Sequence, residues 1–400
     1  MNKIKSLAEK HYYSVFFFLF IIIYSYVVPG VLQPWESVDV TQSFHAVDYS
    51  MGFCSRFLPG VVYQFLFGAV NEKTLNLYMT ALMVLFFFGL SLVLEKFILA
   101  VNSEYRFAAM VILLFFLTGP ATFSIYIHTL GMLDVYWVFA ALLFIVLLSR
   151  KETYFLLFIP FVLCVLVYYV TWICYIPFFI ILILYKISVV KTKKEKVYLW
   201  AALLICIIAA ASLTLYFALF ERENLAYTLE EFIDVLKSRG IDYYRYYAES
   251  MYYDGYGGLE DPNASVFSEL IARLGLNFSW FYSLSKVSVV ILLLPAISFI
   301  YKFFFKQISQ CDNTLRKFSY ICMLLLFPGT LVFSFFTSTD FIRWTGHAFL
   351  PLISSFIYVL HCEGNDALRN VKAGFEKQDF KAVLIYLAFY MSIVYDPYII

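Results

Sequence analysis

The chain is a succession of long apolar runs separated by short polar segments. Several runs approach or exceed eighteen residues with almost no charge, which is enough for a helix to cross a bilayer core of about 30 Å. The pattern therefore predicts an all-α polytopic helical bundle, a single integral membrane domain over residues 1–400. About eleven spans, in a range of ten to twelve, are expected at 14–32, 75–99, 107–126, 133–149, 153–168, 171–188, 198–219, 285–305, 317–336, 346–361 and 382–396.

Composition supports this prediction. The 400 residues are 62% hydrophobic and only 14% charged, whereas a soluble domain is about a quarter charged. The first apolar run follows three lysines, as in a signal peptide, but it is long, rich in aromatic residues and lacks a small-residue cleavage pattern, so we predict a retained span. The cysteines are scattered without CxxC or Cys/His spacing, so the sequence predicts packing roles for them and no metal site.

The charges divide unequally between the two sides of the predicted bundle. With a cytoplasmic N-terminus, the inner segments carry 20 of the 29 Lys and Arg residues but only 10 of the 28 acids. Basic residues favour the cytoplasmic side of a membrane protein, so the pattern predicts that the N-terminus is cytoplasmic. The inner segments contain no nucleotide-binding loop. Candidate chemistry therefore belongs to the outer face.

Four outer segments follow from this topology. The first, 33–73, includes an apolar stretch too short to span, for which we expect a short interfacial or re-entrant helix. The second is 126–137. The third is a large loop with short helices at 221–284, where Thr228 and Glu231 predict a capping box and a tyrosine-rich stretch suits sugar recognition. The fourth is 337–347, where Trp344 suits a membrane interface.

Acids, arginines and histidines are distributed over all four outer segments. Each also has a structural interpretation. Arg56 is a candidate for lipid-phosphate binding, but it would equally form an ion pair with Asp48 within the loop. Asp340 and Arg343 share a helical face and would also pair at a helix end. The remaining candidates would otherwise be solvated or interface residues, and they are Asp39, Arg245, His128, Asp134 and His347.

The arrangement resembles membrane glycosyltransferases of the GT-C type, and it also resembles bacterial O-antigen and capsule repeat-unit polymerases. The stretches DYSMGFCSR and TDFIRW are similar to patterns of envelope-polysaccharide membrane proteins. The GT-C resemblance implies that an acid in the first outer loop acts as the base or orients the acceptor. The matching positions are Glu36, Asp39 and Asp48, of which we prefer the last two. The chain departs from well-studied GT-C subfamilies because it has neither a DxD nor a WWD-type motif.

The polymerase resemblance implies that outer-loop arginines bind a lipid diphosphate. The matching residues are Arg56, Arg245 and Arg343. We therefore expect an inner-membrane transferase that uses a polyprenyl-(di)phosphate-linked sugar donor and a glycan acceptor, with no nucleic-acid partner.

In this mechanism Asp48, Asp39 or Asp340 would accept the acceptor's proton, with His128, Asp134 and His347 as supporting polar groups. No cofactor is required, and a divalent metal stays an open alternative. A flippase for lipid-linked oligosaccharide and a non-catalytic membrane partner are the alternative functions.

Overall fold

The computed structural model describes residues 11–27, 39–118, 132–224, 227–241, 252, 280–337, 341–364, 366–367 and 369. Within these ranges the regular elements are all helical, which confirms the predicted all-α class. In chain order the α-helices are α1 (Tyr12–Val27), α2 (Asp39–Ala46), α3 (Leu58–Phe67), α4 (Glu72–Leu99), α5 (Ser103–Thr118), α6 (Asp134–Leu148), α7 (Phe158–Val167), α8 (Tyr175–Val189), α9 (Lys193–Asn224), α10 (Leu229–Ser238), α11 (Trp280–Gln310), α12 (Thr314–Thr337) and α13 (Phe341–Glu363). Three 3₁₀ helices lie at Tyr49–Met51, Lys151–Leu156 and Tyr169–Ile173.

Four stretches among the described residues are long and apolar enough to cross a membrane. They are Glu72–Leu99, Lys193–Phe220, Thr314–Phe333 and Trp344–Glu363. Several other apolar helices are shorter, including α1, α6 and α8, and the predicted span at 382–396 lies outside the described residues. The structure thus supports a membrane protein with these four candidate spans, and the larger number stays a prediction.

The chain divides into two compact units, and each combines segments that are distant in sequence. Unit 1 contains residues 1–34, 83–128 and 277–400. Unit 2 contains residues 35–82 and 129–276. The long helix α4 contributes its first part to unit 2 and its remainder to unit 1. The predicted single membrane domain stays a prediction.

In unit 1, α11, α12 and α13 pack against one another, and a buried carboxylate holds the start of α1. Glu95 on α4 is 5% exposed. It accepts hydrogen bonds from the Ser14 backbone N–H at 2.8 Å and from the Ser14 hydroxyl at 2.6 Å, and it lies 2.8 Å from Nδ1 of His11. The first turn of a helix has unpaired N–H groups that favour a negative charge, so Glu95 caps α1. This explains an acid within an apolar helix.

In unit 2, helices α6, α7 and α9 pack together, and α2 packs against α3. The contact between α2 and α3 depends on a glycine. A Cβ atom at Gly60 would lie 1.7 Å from the carbonyl oxygen of Val47, so only glycine allows this approach. The Gln64 side chain of α3 reinforces the contact by donating to the His45 carbonyl at 3.1 Å.

Helix α10 has the capping box that the sequence predicted. The Thr228 hydroxyl accepts from the Glu231 backbone N–H, and the Glu231 carboxylate accepts from the Thr228 backbone N–H at 2.8 Å. The helix is amphipathic, since Phe232, Ile233 and Leu236 are buried while its acidic residues are exposed. Its C-terminal end brings Arg239 to residues 46–50.

Candidate functional site

Arg56 has an unusual backbone that two contacts hold in place. Among the described residues it is the only non-glycine residue with positive φ, at 70°, a conformation that costs roughly 1–3 kcal/mol. Its N–H donates to the Leu166 carbonyl at 3.0 Å. Its guanidinium lies 3.7 Å from the centre of the Tyr168 ring, which is a cation–π contact. Leu166 lies in the last turn of α7, and Tyr168 directly follows that helix.

A second aromatic residue supports the ring beneath Arg56. Tyr168 stacks on Trp137 with ring centres 6.0 Å apart and planes inclined by 8°. Trp137 lies on α6 and is 3% exposed, so its position is fixed by packing. A guanidinium stacked on a fixed ring keeps its N–H groups in one plane, where they donate to planar or tetrahedral anions. Arg56 is therefore a pre-oriented cation.

Two polar groups lie close in sequence to this aromatic pair. Asp134 is the first residue of α6 and is 2% exposed, which confirms the prediction that the helix already includes it. Thr171 follows Tyr168 by one 3₁₀ turn, since its N–H donates to the Tyr168 carbonyl at 3.2 Å. Its side chain is fully buried, and in the part of the chain that the structure describes its hydroxyl has no hydrogen-bond partner.

Asp48 forms its ion pair with Arg239. The Arg239 Nη1 atom lies 3.1 Å from Oδ2 of Asp48, and the same guanidinium donates to the Ala46 carbonyl at 2.6 Å and to the Ser50 hydroxyl at 3.0 Å. Asp48 also caps the 3₁₀ helix Tyr49–Met51 by accepting from the Ser50 backbone N–H at 2.8 Å. Arg239 is not among the residues that the sequence singled out.

The backbone of Arg239 forms a second attachment, to the residue Val70 that lies before α4. Its carbonyl accepts a hydrogen bond from Val70 N–H at 3.1 Å. The next residue, Gly240, has φ of 92°, and a Cβ atom there would lie 2.8 Å from the Val70 carbonyl oxygen. Side chain and backbone together fix the end of α10 on residues 46–50 and 70. We call this set of contacts the Arg239 clamp.

The contacts of Asp48 lower the pKa of its carboxyl. Partial burial raises the pKa of this carboxyl, but hydrogen bonds from Ser50 and the charge of Arg239 outweigh burial and leave the pKa below its usual value. Asp48 is therefore ionised at neutral pH, and a carboxylate with a lowered pKa is a weaker proton acceptor. This geometry favours an anchoring role for Asp48.

A buried histidine lies beside these contacts in unit 2. His45 is fully buried, with Nδ1 2.7 Å from the Thr41 carbonyl and Nε2 2.8 Å from the Tyr136 hydroxyl. Because a carbonyl only accepts, Nδ1 carries the proton and Nε2 of the neutral ring accepts from Tyr136. Burial lowers the pKa of His45 to about 4, although the Thr41 hydrogen bond opposes the shift. The rings of Tyr63 and Tyr78 complete its surroundings.

The other predicted site residues are distributed differently. Asp39 is the first residue of α2 and Arg343 lies in α13, but both side chains lie outside the described part. Asp340, Arg245 and His128 lie outside the described residues altogether. His347 is fully buried in unit 1, with its ring 5.6 Å from that of Trp344. Of the predicted set, unit 2 thus contains Asp48, Arg56 and Asp134 as described side chains.

Two elements of this site are absent from the sequence prediction. The connection that carries Tyr168 is a short apolar loop in the sequence, and only the run of aromatic residues YYVTW marks it. Arg239 precedes a glycine, and a glycine at this place in the sequence marks the end of a helix. The sequence does not indicate which residue the Arg239 side chain contacts. Within the described residues, no group of three or more His, Cys, Asp or Glu side chains is arranged to hold a metal ion.

Comparison of the chain with protein-family models, with curated proteins and with solved structures gives no match.

Proposed function

We propose that the protein is a membrane-embedded glycosyltransferase or polysaccharide polymerase that uses a polyprenyl-(di)phosphate-linked sugar in envelope glycan synthesis. The observation that carries the proposal is the conformation of Arg56. Its guanidinium lies 3.7 Å from the centre of the Tyr168 ring, and its backbone has a φ of 70°. Strained backbones persist where the surrounding structure holds them, and they cluster at ligand sites. A stacked guanidinium suits a phosphate group, to which it donates two parallel hydrogen bonds.

The proposal includes eleven spans in a bacterial inner membrane, with the N-terminus in the cytoplasm. Contacts between distant segments support this topology, because each joins segments on the same predicted side. Arg239 meets Asp48 on the predicted outer side, as Arg56 meets Tyr168. On the predicted inner side the Tyr154 hydroxyl donates to Glu195 at 2.8 Å.

The proposed reaction is the transfer of a sugar from a lipid phosphate to a hydroxyl of a glycan acceptor. The acceptor oxygen forms a bond to the anomeric carbon, and the bond from that carbon to the phosphate oxygen breaks. The proton of the hydroxyl goes to a carboxylate, and the bonding electron pair leaves with the phosphate. Arg56 stabilises the negative charge that develops there.

The carboxylates divide between anchoring and proton transfer. The contacts of Asp48 with Arg239 and Ser50 make it an anchor of the outer segments, which leaves Asp39 and Asp340 as the candidate proton acceptors. Arg343 and Arg245 remain candidates for further phosphate contacts. The remaining polar candidates, His128, Asp134 and His347, keep supporting roles in the proposal.

The test compares Arg56→Ala and Arg56→Lys with Arg150→Ala, which replaces an exposed arginine on the predicted inner side. We expect Arg56→Ala to shorten or abolish the surface glycan at normal protein levels. Arg56→Lys should retain partial activity because it keeps the charge and loses the planar fork. Arg150→Ala should behave as wild type. Normal glycan from a normally expressed Arg56→Ala protein would reject the proposal.

The same strains separate a transferase from a flippase. Loss of a transferase leaves the lipid-linked intermediate on the outer leaflet, where externally added glycosidases or lectins reach it. Loss of a flippase leaves that intermediate on the inner leaflet, where it is protected until the cells are broken. Protection of the intermediate in the Arg56→Ala strain would favour the flippase.

A further inference from the structure

Helix α3 begins two residues after Arg56 and is apolar on both of its faces. Pro59, Gly60 and Tyr63 are buried against the unit. Val62, Phe65 and Leu66 point away from it, at 40%, 88% and 56% exposure. These three positions have i, i+3, i+4 spacing and so form one stripe along the helix.

The stripe differs from the outer face of an ordinary surface helix, which is polar or charged. Helix α3 contains no charged residue, and the amide of Gln64 is occupied by the His45 carbonyl. The helix has ten residues and is about 15 Å long, so it is too short to cross a bilayer. Its exposed stripe therefore suits an apolar occupant other than water.

The position of Arg56 indicates which occupant this is. Arg56 precedes the first turn of α3 by two residues, and the apolar stripe begins at Val62 in the second turn of the same helix. A molecule with a phosphate at Arg56 and a hydrocarbon chain attached to it would place the chain along the stripe. We propose that Val62, Phe65 and Leu66 bind the first isoprene units of a polyprenyl phosphate whose headgroup lies at Arg56. This inference rests on the proposed function, because it takes Arg56 as the phosphate site.

The stripe offers contact to one or two isoprene units. Each residue rises about 1.5 Å along a helix, so Val62 and Leu66 are separated by about 6 Å along the axis. Phe65 is the most exposed of the three, and a ring at 88% exposure makes few contacts within the protein. Its replacement by alanine therefore leaves the packing of α3 unchanged and removes only the surface that the chain would contact.

The experiment measures binding of two phosphates to the full-length protein in phosphatidylcholine nanodiscs. Undecaprenyl phosphate carries the long chain, and geranyl phosphate carries the same headgroup chemistry on a short chain. The variants are Arg56→Ala, Phe65→Ala, Leu66→Ala and the control Phe155→Ala. Phe155 is 71% exposed and lies in the same unit, on the 3₁₀ helix Lys151–Leu156.

We expect wild-type protein to bind undecaprenyl phosphate more tightly than geranyl phosphate. Phe65→Ala should weaken long-chain binding by about tenfold, the effect of losing part of one buried aromatic contact, and should change short-chain binding less. Leu66→Ala should act in the same direction. Phe155→Ala should change neither affinity, and Arg56→Ala should weaken both.

Two results would overturn the inference in different ways. If Arg56→Ala weakens both phosphates while Phe65→Ala and Leu66→Ala leave long-chain affinity unchanged, the phosphate site stands and the stripe contacts only ordinary bilayer lipid. If Arg56→Ala changes neither affinity, the phosphate site fails and the chain site fails with it.

Discussion

The positive φ of Arg56 leads us to predict how substitutions at this position change the stability of the fold, independently of activity. Arg56→Ala and Arg56→Gly both remove the guanidinium and its contact with Tyr168, so both lose a cation–π energy of about 0.5–2 kcal/mol. They differ in the backbone. Alanine retains a Cβ in the left-handed region, at a cost of about 1–2 kcal/mol, whereas glycine adopts φ of 70° without that cost.

Glycine also gives the unfolded chain more freedom, which offsets roughly 0.5–1 kcal/mol of its advantage. We therefore expect Arg56→Gly to be more stable than Arg56→Ala by about 1 kcal/mol. In a protein of this size that difference corresponds to a melting temperature about 2 °C higher. Thermal unfolding of the two purified variants in the same detergent, scanned at one rate, measures the difference.

The two variants should be equally defective in phosphate binding and in glycan synthesis, because both lack the cation. A melting temperature for Arg56→Ala equal to or above that of Arg56→Gly would refute the backbone argument. Recovery of phosphate binding in Arg56→Gly alone would refute the assignment of binding to the guanidinium.

Three further predictions concern unit 2. The single variants Asp48→Arg and Arg239→Asp should each lower stability by about 1–3 kcal/mol through an unpaired charge, and the double variant should recover part of that loss in thermal unfolding. Burial lowers the pKa of His45 to about 4 in the folded protein. Between about pH 6.5 and 4 the unfolded state therefore binds more protons than the folded state. Stability should therefore fall as pH drops through this window, by up to about 3 kcal/mol, and a His45→Gln variant should show a flatter dependence of melting temperature on pH. Thr171→Val should raise the melting temperature or leave it unchanged, since it removes a buried hydroxyl without a partner among the described residues, whereas a clear loss of stability would show that this hydroxyl is paired.

The sequence predicts local features well because they depend on neighbouring residues. The capping box at Thr228 and Glu231 is confirmed, since both partners lie within one turn. The start of α6 at Asp134 is confirmed for the same reason. The predicted packing role of Cys164, Cys174 and Cys206 agrees with their burial, whereas Cys322 is only partly buried. An apolar run indicates burial without any knowledge of the partner.

Contacts between distant segments are not predictable in this way. Arg56 lies eight positions from Asp48 in the sequence, and Arg239 lies 191 positions away. Nothing in the sequence favours Arg239 over Arg56 as the partner of Asp48. The support beneath Arg56 comes from Tyr168 and Trp137, whose stacking depends on how α6 and α7 pack. Tertiary packing decides each of these pairs, and the aromatic content is too high for any single ring to stand out.

The Arg239 clamp also has a consequence for the order in which the protein is made. Asp48 and the Ala46 carbonyl leave the ribosome 191 and 193 positions ahead of the arginine that pairs with them. At roughly 5–20 residues per second, that interval lasts on the order of 10–40 s. During this time the segment that contains Asp48 lacks the arginine that pairs with it. The Arg239 clamp therefore forms late in synthesis, and a nascent chain that stops before residue 239 leaves Asp48 and the Ala46 carbonyl without these contacts.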